Sequence, residues 1–261
     1  MDIIKKHLAR LEKKEQKILN KKQGVIEGNL KPIVEKVESK VPEAVKKSLD
    51  KAFYKSFQIV FEKGTRYIEK LYNKNKIQVD HIVHDYVINR SLDSRSIKNI
   101  DKHAQKSKLL NTSISALEGA GLGFLGMGLP DVPLLTAVIL KSIYEISLSY
   151  GFHYETEEER VYILNLIKAS LTKGEIQEKY NHRVDVIGNK IDEHVNFKFD
   201  LDREIVNTAK ILSDSMLTSK FIQGIPVVGM VGSITNYSII NKISRYSSIK
   251  YKKRYLNNKC R

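Results

Sequence analysis

Histidines and carboxylates are the first residues to test for chemistry, because together they bind metals and move protons. In Asp80-His81-Ile82-Val83-His84-Asp85, two imidazoles stand three residues apart on one helix face, with carboxylates on either side. Two ligands do not close a coordination shell and the sequence names no third, so this segment reads as a solvated polar helix face. His182 with Asp185, and Asp192-Glu193-His194, read the same way. Glu157-Glu158-Glu159 puts three acids where negative charge stabilises a helix start, which accounts for them without an acid–base pair. Gly121-Leu122-Gly123-Phe124-Leu125-Gly126 has the spacing of a dinucleotide-binding loop. That loop needs a strand before it and a helix after it; here a helical pattern precedes and Pro130 and Pro133 follow. No phosphate-binding GK[ST] and no G-x-S-x-G occurs. No catalytic residue, metal ligand or cofactor is therefore assigned.

The C-terminus carries a different pattern. Tyr246, Tyr251 and Tyr255 interleave with Lys250, Lys252, Lys253 and Arg254, a mixture suited to a lipid interface or to single-stranded nucleic acid. Charge is unevenly spread over the 261 residues, whose formal net is +15. Residues 1–24 hold eight Lys/Arg against three acids, and residues 242–261 hold eight against none, so the 217 residues between carry only +2. Two basic ends on a nearly neutral body suggest tethering to something anionic, the alternative being solvated, frayed end helices. The basic cluster directly follows the uncharged stretch 221–240, so lipid leads. Lys250, Lys252, Lys253, Arg254, Tyr251 and Tyr255 become the candidate membrane contacts, and nucleic-acid binding through the tail ranks last because the body is neutral.

Helical spacing recurs along nearly the whole chain, and no segment reads as a strand. Ile4, Leu8, Leu11 and Ile18 share a face of a helix over 3–19. A short helical piece follows around Ile33, Val34 and Val37. Val45, Leu49, Phe53, Phe57, Val60, Phe61, Ile68 and Leu71 form a core-facing stripe, which Gly64 interrupts or bends. Further helices are predicted over 75–90, 94–110, 132–149, 174–195 and 201–219, and over a segment capped by Thr156 and Glu159 with Val161, Leu164, Ile167 and Leu171 on one side. The stretches 119–140 and 221–240 are apolar and dotted with glycine. Gly119 with Gly123, and Gly229 with Ser233, stand four apart, a spacing that lets helix backbones approach closely. Both stretches read as core that packs together, or as an apolar surface against a bilayer.

The fold class is all-α: a compact multi-helix single domain with basic N- and C-terminal helices or tails. Its parts are a basic amphipathic helix over 1–24, a helical domain over 25–241 and a basic tail over 242–261. The lone cysteine, Cys260, fits a reducing compartment, and the absence of a long apolar run near Met1 argues against secretion.

Taken in order, Gly119–Gly128, Asp131-Val132-Pro133, Ile143-Tyr144-Glu145-Ile146, Tyr150-Gly151 and Glu158-Glu159-Arg160 resemble the central part of the EcsC protein family. Ile225-Pro226-Val227-Val228-Gly229 with Gly232 and Asn236 is similar to that family's C-terminal signature, although Met127 and Met230 stand among the glycines. The resemblance covers roughly residues 40–250. It implies an all-helical bacterial protein of unassigned activity. The family takes its name from an operon that encodes an ABC transporter, so the resemblance implies support of a transporter or envelope process at the cytoplasmic membrane, with transporter subunits as partners. It carries over no catalytic residues. The family's recurrent acids fall on Asp131, Glu145 and Glu159, read here as a helix cap, a buried hydrogen-bonded carboxylate and a capping-box partner. The leading expectation is a peripheral protein at the inner face of the membrane, bound to anionic lipid. The rival is an enzyme acting on a lipid or other apolar substrate, with Asp131, Glu145, Tyr150 and His153 lining one pocket.

Overall fold

The apolar periodicity becomes ten α-helices among the residues that the computed structural model describes, which are 2–19, 41–91, 93–106, 131–222 and 233–261. They are α1 (Asp2–Leu19), α2 (Glu43–Ile59), α3 (Thr65–Glu69), α4 (Lys74–Arg90), α5 (Ser94–Lys106), α6 (Asp131–Ser149), α7 (Glu157–Leu171), α8 (Gly174–Asp192), α9 (Leu201–Ile222) and α10 (Ser233–Asn258). No strand occurs among the described residues. The chain from α2 to α3 bends where expected, through one π turn over Val60–Gly64. The helical piece at 33–37, the glycine motif at 121–126 and residues 223–232 lie outside the described residues. The glycine-bearing parts of the two apolar stretches lie outside as well, whereas 131–140 and 233–240 belong to α6 and α10, which pack on each other.

Two helices form the centre. The first is α6, which packs against α2, α4, α5 and α10. Among the described residues it is one helix long and apolar enough to cross a membrane, with mean hydropathy 1.4 over Val132–Ser149, and 89% of that window is buried in the protein. Its hydroxyls survive burial by bonding locally. Thr136 and Ser149 donate to the carbonyls of Val132 and Glu145 on their own helix, and Ser142 pairs with Ser244 of α10 at 2.6 Å. The second central helix is α7, flanked by α8, α9 and α10. The sequence suggests one buried side for α7, but Glu159 and every residue from Val161 to Ser170 are buried. Thr156 caps it as expected, its Oγ1 accepting from Glu159 N at 3.2 Å. The reciprocal half of the expected box is absent from the bonds of Glu159, whose carboxylate turns inward to Tyr251 and Arg254.

The boundary expected at 241/242 falls inside a single helix. α10 runs unbroken from Ser233 to Asn258 and touches α6, α7, α1, α9 and α8. The N-terminal helix α1 lies along it, burying Ile4, Leu11 and Glu15. The described parts of both basic ends, 2–19 and 242–261, thus belong to the packed body.

Candidate functional site

The cationic face of α10 points inward, which corrects the membrane-contact assignment. Lys250, Tyr251, Lys252, Arg254 and Tyr255 are all buried, and the side chain of Lys253 is 17% exposed. Their charges are met by acids from the surrounding helices. Glu15 of α1 bridges Lys250 and Lys253 at 2.5 and 2.6 Å, and Asp185 of α8 adds a 2.7 Å contact to Lys250. Arg254 sits on the Glu159 carboxylate at 2.9 and 3.2 Å and on Asp192 at 3.1 and 2.6 Å. Its guanidinium is sandwiched 4.3 Å from the Phe152 ring centre and 4.4 Å from that of Tyr162. Gly188 of α8 makes room for it, because a Cβ there would stand 3.1 Å from Arg254 Cδ and 3.0 Å from the Tyr162 ring. Lys259 reaches Asp85 at 2.6 Å and Arg261 reaches Glu193 at 2.7 Å. Six acids from other segments thus offset most of the eight cations in 242–261. The sequence pattern is basic because those acids lie far away along the chain.

Burial sets the protonation of this network. Burial pulls the Arg254 guanidinium down, but Glu159 and Asp192 outweigh it and hold it charged. Burial also pushes the Glu159 carboxyl up, against the pull of Arg254. For Glu15 the balance is reversed: burial pushes its carboxyl up, yet Lys250 and Lys253 prevail and hold it below the ordinary range.

The four residues expected to share a catalytic pocket are scattered, a second correction. Glu145 lies fourteen residues beyond Asp131 on α6, about 21 Å along the axis at 1.5 Å per residue. The Glu145 carboxylate is buried as expected and takes Lys141 at 3.0 Å, with burial pushing it up. Tyr150 is buried with its ring 6.2 Å from that of Tyr255. His153 is exposed, 3.9 Å from Glu155.

The unexpected surface belongs to α4, which is inverted relative to an ordinary surface helix. Val79, Ile82, Val83 and Tyr86 are 57%, 64%, 54% and 59% exposed. At a 3.6-residue period these four form one outward stripe, with Lys76 at its N-terminal end and Arg90 at its C-terminal end. Arg90 lies 5.8 Å over the Tyr86 ring. The polar residues read as solvated are those that face the body. His81 Nδ1 lies 3.1 Å from the Ser149 carbonyl, its ring edge-on to Tyr255. Burial pulls this imidazole down, so it is neutral at pH 7. Asp85 accepts from Tyr255 at 2.8 Å and pairs with Lys259. Among the described residues no group of three or more His, Cys, Asp or Glu is placed to hold a metal.

Two clefts flank the turn between α6 and α7. That turn is fixed by a Schellman stop: Phe152 N bonds Ser147 O at 2.9 Å and Gly151 N bonds Leu148 O at 3.0 Å, with Gly151 at φ +82°. A side chain at Gly151 would set its Cβ 2.3 Å from His81 Nε2. The start of α4 is tied to the same turn through Glu69, which accepts from Tyr154 at 2.6 Å and pairs with Lys74 at 2.8 Å. Lys74 in turn reaches Glu155 at 2.6 Å. The first cleft, about 440 Å³, lies between α4 and the turn, with Val79, Ile82, Leu148 and Gly151 in its walls. The second, about 540 Å³, lies between the turn and the end of α8, with Phe152, Phe197, Lys190 and Glu158 around it and Arg254 among its lining residues. Gly151 and His153 belong to both. The end of α8 repeats the stop: Val195 N bonds Lys190 O at 2.8 Å and His194 N bonds Ile191 O at 3.1 Å, with His194 in the left-handed region at φ 54°.

A family model described as the EcsC protein family matches residues 5–256. The chain belongs to the EcsC protein family. Because the match runs from within α1 nearly to the end of α10, both basic ends are part of the EcsC domain rather than additions to it. Two Bacillus subtilis (strain 168) proteins are similar. One is described as "Uncharacterized protein YdbA", 27% identical over 168 residues, 59% of this chain and 57% of that protein. The other is "Protein EcsC", 23% identical over 151 residues, 57% of this chain and 60% of that protein. The chain thus spans less than two thirds of the length of either relative. No solved structure matches. Within this EcsC domain the sequence reading missed the α4 stripe, though the signal was present. Val79, Ile82, Val83 and Tyr86 already have helical spacing, but Ile77 and Ile88 on the opposite face offer an equally good stripe.

Proposed function

We propose that this EcsC-family protein works peripherally at the cytoplasmic face of the cell membrane, in support of a transporter or envelope process, and that α4 is its lipid contact. The observation that carries this reading is the outward stripe of Val79, Ile82, Val83 and Tyr86, each more than half exposed, with a cation at either end. Apolar residues flanked by Lys and Arg, with tyrosine at the boundary, match the layering of an anionic bilayer surface. Full burial of such a side chain is worth about 1.5–3 kcal/mol, so four half-exposed ones contribute roughly 3–6 kcal/mol on insertion. Lys76 and Arg90 add about 1 kcal/mol each near anionic headgroups. That sum gives reversible attachment, in keeping with a protein that visits the membrane rather than spans it.

The test places an environment-sensitive fluorophore on Val83→Cys in a Cys260→Ser background, since Cys260 is an exposed thiol. With vesicles containing anionic phospholipid the emission should shift to the blue, and the same label on Arg245→Cys of α10 should not respond. An unresponsive label at 83 would refute the reading.

A further inference from the structure

We propose that the two clefts beside the α6–α7 turn form one binding site for a zwitterionic phospholipid, with an acyl chain in the first cleft and the headgroup in the second. The proposal rests on the membrane reading above and gives it a specific ligand. Val79 and Ile82 line the first cleft and also belong to the outward stripe of α4. A chain leaving a bilayer against that stripe therefore enters the cleft without crossing water. Leu148, 2% exposed, offers apolar surface within. The one imidazole in that cleft held by the body, His81, is neutral and already bonded to the Ser149 carbonyl, so it does not penalise an alkyl chain. A volume of about 440 Å³ lies within the range of small-molecule sites.

The two clefts share Gly151 and His153 in their walls, and the absence of a side chain at 151 lets the His81 ring close against the turn between them. The second cleft carries both signs of charge. Lys190 is half-buried against the Phe197 ring at 5.7 Å and has no carboxylate at ion-pair distance among the described residues, while Glu158 is exposed on the lining. Arg254 contributes no spare charge, because Glu159 and Asp192 occupy its donors. The C-terminal ends of α6 and α8 and the N-terminal end of α7 all lie at this cleft, so helix ends of both signs face it. A purely anionic head would meet Glu158, and a purely cationic one would meet Lys190. A head with a phosphate for Lys190 and an ammonium for Glu158 satisfies both.

The experiment measures 1:1 binding of monomeric lysophosphatidylethanolamine by native mass spectrometry and calorimetry, without vesicles, beside palmitate as a chain without the head. Saturable binding is expected, about tenfold tighter for the lysolipid than for palmitate. Gln78→Trp, which fills the first cleft from its α4 wall, should weaken both ligands about tenfold, whereas Lys190→Gln and Glu158→Gln should weaken only the lysolipid, by about fivefold each. All three leave the outward stripe intact, so the shift of the fluorophore at position 83 should persist in them. Labelled phosphatidylethanolamine in vesicles separates the two sources: extraction into a protein-bound fraction shows that the ligand comes from the bilayer. No saturable lysolipid binding, equal affinity for palmitate, or binding that Gln78→Trp leaves untouched would each overturn the proposal. If the vesicle label responds while lysolipid fails to bind, the cleft assignment alone is wrong. If lysolipid binds while the label is silent, the membrane contact alone is wrong.

Discussion

α10 and α4 use opposite arrangements. α10 carries a dense run of positive charge at 250–254 and turns it into the protein, where Glu15, Glu159, Asp185 and Asp192 receive it. α4 turns His81 and Asp85, together with Ile77 and Ile88, to the body and sets Val79, Ile82, Val83 and Tyr86 to the outside. A helix's composition therefore does not say which face is exposed; the neighbours decide. A buried cation persists where acids from several elements converge on it, since an unpaired charge inside a protein is far costlier than an exposed valine.

The largest expected effect lies at the centre of the α10 network. Arg254→Met leaves Glu159 and Asp192 buried and facing one another, and should cost about 3–5 kcal/mol in urea denaturation. A loss below about 1 kcal/mol would mean that the network is solvated, and the contrast with α4 would fail. Lys250→Met should cost less, about 2 kcal/mol, because Glu15 keeps Lys253. The pair Glu15→Gln with Lys250→Met should lose less than the sum of the two single variants, a coupling that a double-mutant cycle reads directly.

Acid should act through the same contacts. Lys250 and Lys253 overcome burial to hold Glu15 below the ordinary value of about 4.3, so the unfolded chain takes up that proton first and stability falls as the pH drops below about 4.3. Asp85, held low by Lys259 and Tyr255 against the opposing effect of burial, acts in the same direction. Glu145 and Glu159, pushed up by burial, bind protons in the folded state first and oppose the fall. Glu15→Gln should therefore flatten the acid limb of a stability–pH curve without abolishing it. On the α4 side, His81 is pulled down by burial, so the unfolded imidazole protonates first and a shallower loss begins below about pH 6.5. His81→Gln should remove that step and leave the lower one. The smallest effect is expected on the outward face of α4. Ile82→Asp should change stability by no more than about 0.5 kcal/mol, since the side chain is mostly in solvent.

Much of the fold was legible in the sequence. The apolar periods located the described helices other than α10 to within a few residues, and the π turn ends at Gly64, where an interruption was read. The predicted helix end at 149 and the cap at Thr156 are a stop and a start that the hydrogen bonds bear out. The burial of Glu145 was also legible, because an acid amid Ile143, Tyr144 and Ile146 has nowhere else to go. The orientation of α10 was not legible: its cations are answered by Glu15, 235 positions away from Lys250, and by Asp192, 62 positions away from Arg254. The α4 stripe was missed for a related reason. Two apolar faces compete on that helix, and the choice between them is made by His81 meeting Ser149 and by Asp85 meeting Tyr255, contacts across the fold that no local spacing encodes.

The most direct test of the exchange between α10 and α4 is flotation with vesicles containing anionic phospholipid, comparing two paired variants. One, Ile82→Asp with Val83→Asp, puts charge on the outward stripe; the other, Lys242→Gln with Arg245→Gln, removes charge from the exposed side of α10. Lipid contact through α4 predicts that the first variant loses binding at least tenfold while the second floats nearly as well as the parent protein. Retained flotation of the first, with loss in the second, would return the membrane contact to the basic C-terminus and contradict the account.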